Sequence, residues 1–307
     1  MKFFLAPMQG LTGYTVRNAF HHHFDYIDKY YTPFIPAAKR MNAKIKRDID
    51  PVNNDGITLI PQAMSIVADE VIDLHRQLVP YGYDEINVNL GCPSGTVVSK
   101  KRGSGILAYP DMLDSFLDEL YTKADFPVSI KTRVGFNDDE LWPKLIEIYS
   151  KYPISELIIH PRVQKDMYKN KPRMEFFDYA VKHSKNRLVY NGDICTVKDY
   201  ENIINTYPDI SAVMLGRGLI SNPGLAGQIS DGKQLDKNTL REFYDALVDA
   251  YRAEIPDEKN VVFKIKENLF YLVNLFDDKD AYWKKIRKSD NLMELNSIAR
   301  RAIDDIY

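Results

Sequence analysis

The chain has 307 residues, 45% of them hydrophobic and 27% charged, so it holds enough apolar material for a large core and is not dominated by disorder. A formal net charge of −2 excludes a globally basic protein, so any nucleic-acid surface has to come from local clusters. Two cysteines exclude a disulfide framework or a Cys-rich zinc site, no metal is expected, and without a run of about 18 apolar residues a soluble cytoplasmic protein is expected.

The N-terminal Met1-Lys2-Phe3-Phe4-Leu5-Ala6-Pro7 is too short an apolar run for a signal-peptide core. Short apolar runs then alternate with amphipathic stretches as far as Ile229. Strands are predicted at Phe3-Ala6, Tyr26-Lys29, Leu59-Ala63, Glu85-Asn89, Val128-Thr132, Glu156-His160, Leu188-Asn191 and Ala212-Leu215. Between them, Val67-Val79, Met112-Lys123 and Val197-Thr206 carry apolar residues at helical spacing, as in Val71, Leu74 and Leu78. Eight such units make an α/β fold, a TIM (β/α)8 barrel, the economical architecture. From about Lys237 only helices are expected, at Leu240-Ala253, Val261-Phe276, Asp280-Lys288 and Leu292-Ile306, the pattern of a small all-α helical bundle. The polar Ser230-Asp231-Gly232-Lys233 reads as the linker, dividing residues 1–232 from 233–307.

Met8, Gln62, Asn89, Cys92, Lys131, His160, Asn191 and Gly216 all fall at or just past the C-terminal ends of predicted strands, which is the active-site rim of a TIM barrel. The loops after strands 7 and 8, Asn191-Gly192-Asp193 and Gly216-Arg217-Gly218, have the glycines and the permanent charge of a phosphate site. A Gly-x-Gly-x-x-Gly turn after a strand is absent, so a mononucleotide flavin fits better than a dinucleotide in the Rossmann mode. Lys131 ends a strand inside the mouth, where desolvating an ammonium is costly unless an anion, such as a reduced flavin, needs it. His160 is either a cofactor contact or a hydrogen-bonded rim residue. Cys92, between Gly91 and Pro93, is a buried structural thiol or a catalyst, and as a catalyst an acid or a nucleophile. Cys195 reads as bland.

Basic residues cluster at Lys39, Arg40, Lys44, Lys46 and Arg47, at Lys100-Lys101-Arg102, at Lys165, Lys169, Lys171 and Arg173, and at Lys284, Lys285, Arg287 and Lys288. Each reads as a solvated patch or as an anion-binding surface.

From Ala6 to about Gly224 the chain resembles the flavin-dependent tRNA dihydrouridine synthases. The blocks that carry the likeness are Ala6-Pro7-Met8-x-Gly10-x-Thr12, Asn89-x-Gly91-Cys92-Pro93 with Gly103-Ser104 and Leu107, Val128-x-x-Lys131-x-Arg133, His160-x-Arg162, Asn191-Gly192-Asp193 and Gly216-Arg217-Gly218. The resemblance implies an oxidoreductase that reduces the 5,6 double bond of uridine in tRNA. FMN would be held by Pro7, Met8, Gln62, Lys131, His160, Asn191, Gly192, Asp193, Gly216 and Arg217, with NADPH as reductant. Cys92 would be the general acid, Asn89, Lys100, Lys101 and Arg162 would contact substrate, and the C-terminal helices would help hold tRNA. No protein partner is implied, and a monomer is expected.

Gly13 stands where the family often has Asp, although Thr12 can still cap the following helix. Gly95 stands where a Lys is common, and Pro161-Arg162-Val163-Gln164 replaces a more basic Gly-Arg-Thr-Arg/Lys block. Two alternatives follow: an FMN barrel reductase of a free small molecule, which would not need the helices after Lys237, and a tRNA-binding relative that has lost catalysis.

Overall fold

The computed structural model describes residues 1–37, 40–137 and 140–306. Eight staves run parallel: β1 (Lys2–Leu5), β2 (Lys29–Tyr31), β3 (Leu59–Ile60, resuming as Gln62–Met64), β4 (Ile86–Leu90), β5 (Val128–Gly135), β6 (Leu157–Val163), β7 (Leu188–Tyr190) and β8 (Ala212–Leu215). β8 returns to pair with β1, Lys2 opposite Ala212. The ring closes through β3, whose first part pairs with β2 and whose second part pairs with β4. Pro61 separates the two parts because it has no N–H, yet its carbonyl still accepts from Asn87 N at 2.9 Å. A (β/α)8 barrel is the result, as the alternation predicts.

β2 lies three residues later than expected. Tyr26 stays outside the ladder with its hydroxyl donating to Asp231 at 2.8 Å, and the buried Tyr30 and Tyr31 take the strand positions. Lys29 enters the barrel because Glu85 and Glu156 neutralise it at 3.2 and 3.0 Å. Phe4, Tyr31, Ile60, Ile158, Val189 and Met214 belong to a small core cluster separate from the larger core.

Among the helices that follow staves as return segments are α1 (Tyr14–His23), α2 (Ala68–Leu78), α3 (Pro110–Lys123), α4 (Trp142–Tyr149), α5 (Met174–His183) and α6 (Val197–Thr206). α2 buries Val71, Leu74 and Leu78, the stripe its spacing predicts. α6 starts on a capping box in which Thr196 and Asp199 satisfy each other's backbone N–H. α1 starts on Gly13, which has no side chain to cap it; Tyr14 N donates to Asp48 Oδ1 at 2.8 Å, while Thr12 Oγ1 accepts from Met8 N at 2.8 Å. A further helix, α7 (Leu225–Asp231), includes Ser230 and Asp231, so the connection begins only at Gly232, whose left-handed φ of 67° ends the helix.

Beyond it come α8 (Lys237–Glu254), α9 (Glu258–Leu272), α10 (Lys279–Lys288) and α11 (Leu292–Asp304). Asp236, Asp278 and Asn291 cap three of them. α8 lies against α1, with the Phe243 ring 5.1 Å from Phe20 and 5.4 Å from Phe24. Arg47 and Glu254 add an ion pair at 2.6 Å between the barrel and this helix. α9 reaches the barrel mouth, where Lys264 Nζ donates to Gly10 O at 3.0 Å. No helix among the described residues is long and apolar enough to cross a membrane.

Candidate active site

The C-terminal ends of the staves open into a cavity of about 1450 Å³. Pockets for a single drug-sized ligand span roughly 300–1,000 Å³, so this space admits a cofactor and a second group together. Pro7, Met8, Gln62, Asn89, Cys92 and Lys131 line it, as do His160, Asn191, Gly192, Asp193, Gly216 and Arg217. Twelve of the positions singled out in the sequence therefore share one cavity.

Cys92 sits at its wall on a loop held from several sides. Asn89, at the end of β4, accepts from Gly91 N at 3.1 Å and from Cys92 N at 2.8 Å through Oδ1. Its Nδ2 donates to Gln62 Oε1 at 2.7 Å, Gln62 Nε2 donates to Asn87 Oδ1 at 2.8 Å, and Asn87 Nδ2 donates to Ser129 Oγ at 3.0 Å. This chain of buried amides has one direction, because each carbonyl is already taken by its neighbour's N–H. From the other side Ser104 donates to Cys92 O through both N (3.0 Å) and Oγ (2.9 Å). Gly103 makes that approach possible: a Cβ there would stand 2.7 Å from Cys92 O, and its φ is 56°. Arg133 Nε donates to Gly91 O at 3.0 Å, and Gln164 Nε2 to Pro93 O at 2.8 Å. Burial pushes the Cys92 thiol above its ordinary value of 9.0, against the opposing pull of the Ser94 backbone N–H, Arg133 and Lys131. The thiol is therefore protonated at neutral pH.

Lys131 is on β5, opposite Asn89 in the ladder. Burial, with Arg133 adding repulsion, pushes its ammonium down to about 7, and no described residue gives it a hydrogen bond or an ion pair. His160 on β6 is held well below its ordinary value by burial and by Arg133, Lys131, Arg162 and Arg217. Arg162 donates to His160 Nε2 at 2.8 Å, so the ring is neutral with its proton on Nδ1. Asp193 accepts from both Arg162 and Arg217. Burial opposes its charge, but the hydrogen bond and charge of Arg162, followed by Arg217, hold its carboxyl below the usual range. Asp193 takes a left-handed φ of 29°, a strained position that this double pairing fixes. Its loop meets the next one closely, since a Cβ on Gly218 would stand 2.0 Å from Ile194 O.

Lys100, Lys101 and Arg162 do not line this cavity. Lys101, with a φ of 56°, instead lays its ammonium 4.4 Å from the Tyr109 ring, and the adjacent Arg102 pairs with Glu70 at 3.1 Å. Arg162 is 1% exposed and spends its donors on His160, Asp193 and Asn170 O. Lys39 lies outside the described residues. Sequence reasoning missed the wall supplied by α9 and α10, above all Phe263, Phe270 and Trp283. The available signal was two phenylalanines seven residues apart and off the buried stripe of Val261, Ile265, Leu269 and Leu272.

A closed parallel barrel with a protonated thiol, an unpaired amine and two glycine loops at its C-terminal mouth defines a TIM-barrel enzyme. Residues 4–303 match the family model for dihydrouridine synthase (Dus). The tRNA-dihydrouridine synthase B of Pasteurella multocida is 26% identical over 233 residues, 73% of this chain and 67% of that one. A probable tRNA-dihydrouridine synthase of Staphylococcus aureus is 32% identical over 178 residues, 56% of this chain and about half of that relative's length, 52%. The tRNA-dihydrouridine(16) synthase of Aquipseudomonas alcaligenes is 24% identical over 97% of this chain and 98% of its own. Among solved structures, a variant of NCR from Zymomonas mobilis shares the fold, with a TM-score of 0.52 and 12% identity over 79% of this chain and 90% of its own. The chain belongs to the dihydrouridine synthase family and is an oxidoreductase of uridine.

Proposed function

We propose that this protein reduces uridine in tRNA to dihydrouridine, with Cys92 as the acid that protonates carbon 5 of the base. The observation that carries this reading is the Cys92 thiol, held protonated in the same cavity as an unpaired Lys131 amine. A thiol meant for attack would be held as thiolate, whereas burial here favours the neutral form that has a proton to give. The amide chain through Asn87, Gln62 and Asn89 fixes the loop that carries it. Lys131 and Arg133 stabilise the thiolate left after transfer, and solvent returns the proton.

The cavity fits FMN. Its amine without a counter-charge suits the anionic pyrimidine end of a reduced flavin, and the close approach of the 191–194 and 216–218 loops suits a phosphate. Lys131, Gln62, Pro7, Met8 and the neutral His160 would hold the ring, while Asn191, Gly192, Gly216 and Arg217 would hold the chain and phosphate. Asp193 acts through the two arginines it pairs. When bound, FMN reduced by NADPH supplies a hydride to carbon 6 of uracil.

Residues 1–232 form the catalytic part in this reading, and residues 233–307 the tRNA-holding helices. The large cavity with α9 in its wall supports an RNA substrate over a free small molecule. A monomer acting in the cytoplasm completes the reading. The test is incubation of purified protein with unmodified tRNA and NADPH, followed by mass spectrometry. A gain of two hydrogens that disappears in Cys92→Ala, with tRNA binding kept, is expected. Unchanged tRNA would reject the reading in favour of an inactive RNA-binding relative, and rapid turnover of small enones by protein lacking 233–307 would favour a small-molecule reductase.

A further inference from the structure

All fourteen phenylalanines of the chain are among the described residues, and of them only Phe263 and Phe270 are exposed, at 60% and 52%. Both lie on α9, and both line the cavity that contains Cys92. Seven residues apart, they stand on one helical face with a separation of about 10.5 Å along the axis. Trp283 of α10 meets Phe270 edge-on, its ring centre 5.3 Å away, and lines the same cavity. The core does not need this face, since α9 buries Val261, Ile265, Leu269 and Leu272 on its other side. Nor does the face swing freely: Lys264 is tied to Gly10 O at 3.0 Å, and Lys266 Nζ donates to Ser289 O at 2.5 Å.

We propose that Phe263 and Phe270, with Trp283 beside them, are a stacking platform for unpaired bases that flank the target uridine in the RNA. The inference rests on the reading of the substrate as RNA and adds the residues that grip the strand outside the reactive base. A uridine can reach Cys92 only by leaving its stack, which also strips a stacking partner from each neighbouring base. Rings fixed on the cavity wall replace that partner without reading sequence, because every base has a π-face. Continuity with the reaction cavity selects this occupant. A second copy of the chain or a partner protein seated on Phe263 and Phe270 would cover the mouth through which substrate enters.

The test uses the full-length protein and tRNA carrying 2-aminopurine beside the target uridine. Phe263→Ala and Phe270→Ala together are expected to raise KM for tRNA at least tenfold and to abolish the fluorescence quench seen on wild-type binding. Flavin content and melting temperature should not change. Phe270→Trp should keep the quench, and Phe270→Leu should lose it. A quench that survives the double alanine variant, or full rescue by Leu, would overturn the proposal in favour of a generic apolar contact. A wild-type dimer that the double variant converts to monomer would also overturn it, by assigning the face to a second copy. Wild-type protein that quenches but forms no dihydrouridine would keep the platform and reject the proposed function. Product formation without any quench would do the reverse.

Discussion

The side-chain amide of Gln164 donates to the carbonyl oxygen of Pro93 at 2.8 Å, joining the segment after β6 to the loop that carries Cys92. Where a basic residue could have reached for RNA, this chain braces its cysteine loop. Gln164→Leu removes the donor, which costs about 1 kcal/mol of loop stability. A several-fold fall in kcat is expected with KM for tRNA little changed, read by steady-state kinetics. Gln164→Arg, which still has a donor, should keep near-normal kcat. An increase in KM alone for Gln164→Leu would point to an RNA contact instead.

The protonation state of Cys92 has a direct chemical readout. Burial raises the thiol above 9.0, so it should react slowly with iodoacetamide at pH 7.5 and reach half its maximal rate only above pH 9. The measurement is made in a Cys195→Ser background, because Cys195 is exposed and would be alkylated as well. Half-maximal alkylation below pH 8 would mark a thiolate suited to attack and contradict the assignment as acid. Cys92→Ala should lower turnover by about 10²–10⁴-fold while tRNA binding persists.

Asp193 holds two guanidiniums, and one of them, Arg162, is 1% exposed. Removing the carboxylate in Asp193→Ala leaves Arg162 buried without its counter-charge, at a cost of about 3 kcal/mol. The alanine also has to adopt the left-handed φ of 29°, which Asn tolerates better. Urea denaturation should therefore rank the proteins wild type, Asp193→Asn, Asp193→Ala in falling stability. The carboxyl lies below its usual range in the folded state, so its contribution is present above the unfolded value near 3.9 and lost as pH falls through the folded one. The gap between wild type and Asp193→Asn should therefore narrow in acid.

How far these features were legible in the sequence depends on the range over which each is determined. Ala212–Leu215 and Val197–Thr206 have the bounds that their patterns predict, because an apolar run in one case and Thr196 and Asp199 in the other set them locally. β2 slipped because its ladder is made of Lys29, Tyr30 and Tyr31, whose polar atoms hide a buried strand, and because the partners of Lys29, Glu85 and Glu156, stand just before β4 and β6, 56 and 127 residues away. The rim residues were legible for a reason of geometry, since strand ends in a parallel barrel all face one mouth. Lys100 and Lys101 follow Cys92 closely in sequence yet lie outside the cavity, because the chain turns there with positive φ at Lys101 and Gly103. Phe263 and Phe270 could not be placed, because their position depends on α9 folding back against Gly10, more than 250 residues away.

Lys131 supplies the last prediction, which concerns the flavin-free protein. Burial and Arg133 push its ammonium down to about 7, against about 10.4 in an unfolded chain. Between those values the unfolded chain binds more protons than the folded one, so this group makes stability rise with pH from about 7 to about 10.4 and contributes no slope below 7. Other thiols and tyrosines titrate toward the top of that window, so the quantity to measure is the difference between wild type and Lys131→Met. In wild type the charged amine is a burden at pH 6.5, which Met relieves by an amount on the order of a few kcal/mol, and the advantage of Met should shrink by pH 9. The anionic ring of reduced FMN beside Lys131 raises its pKa again, so anaerobic binding of reduced FMN at pH 8 should take up a proton, seen as a dependence of the calorimetric heat on buffer ionisation enthalpy. That uptake should vanish in Lys131→Met. A stability difference that is flat with pH, together with binding heats independent of buffer, would mean that the amine is already neutralised in the empty cavity.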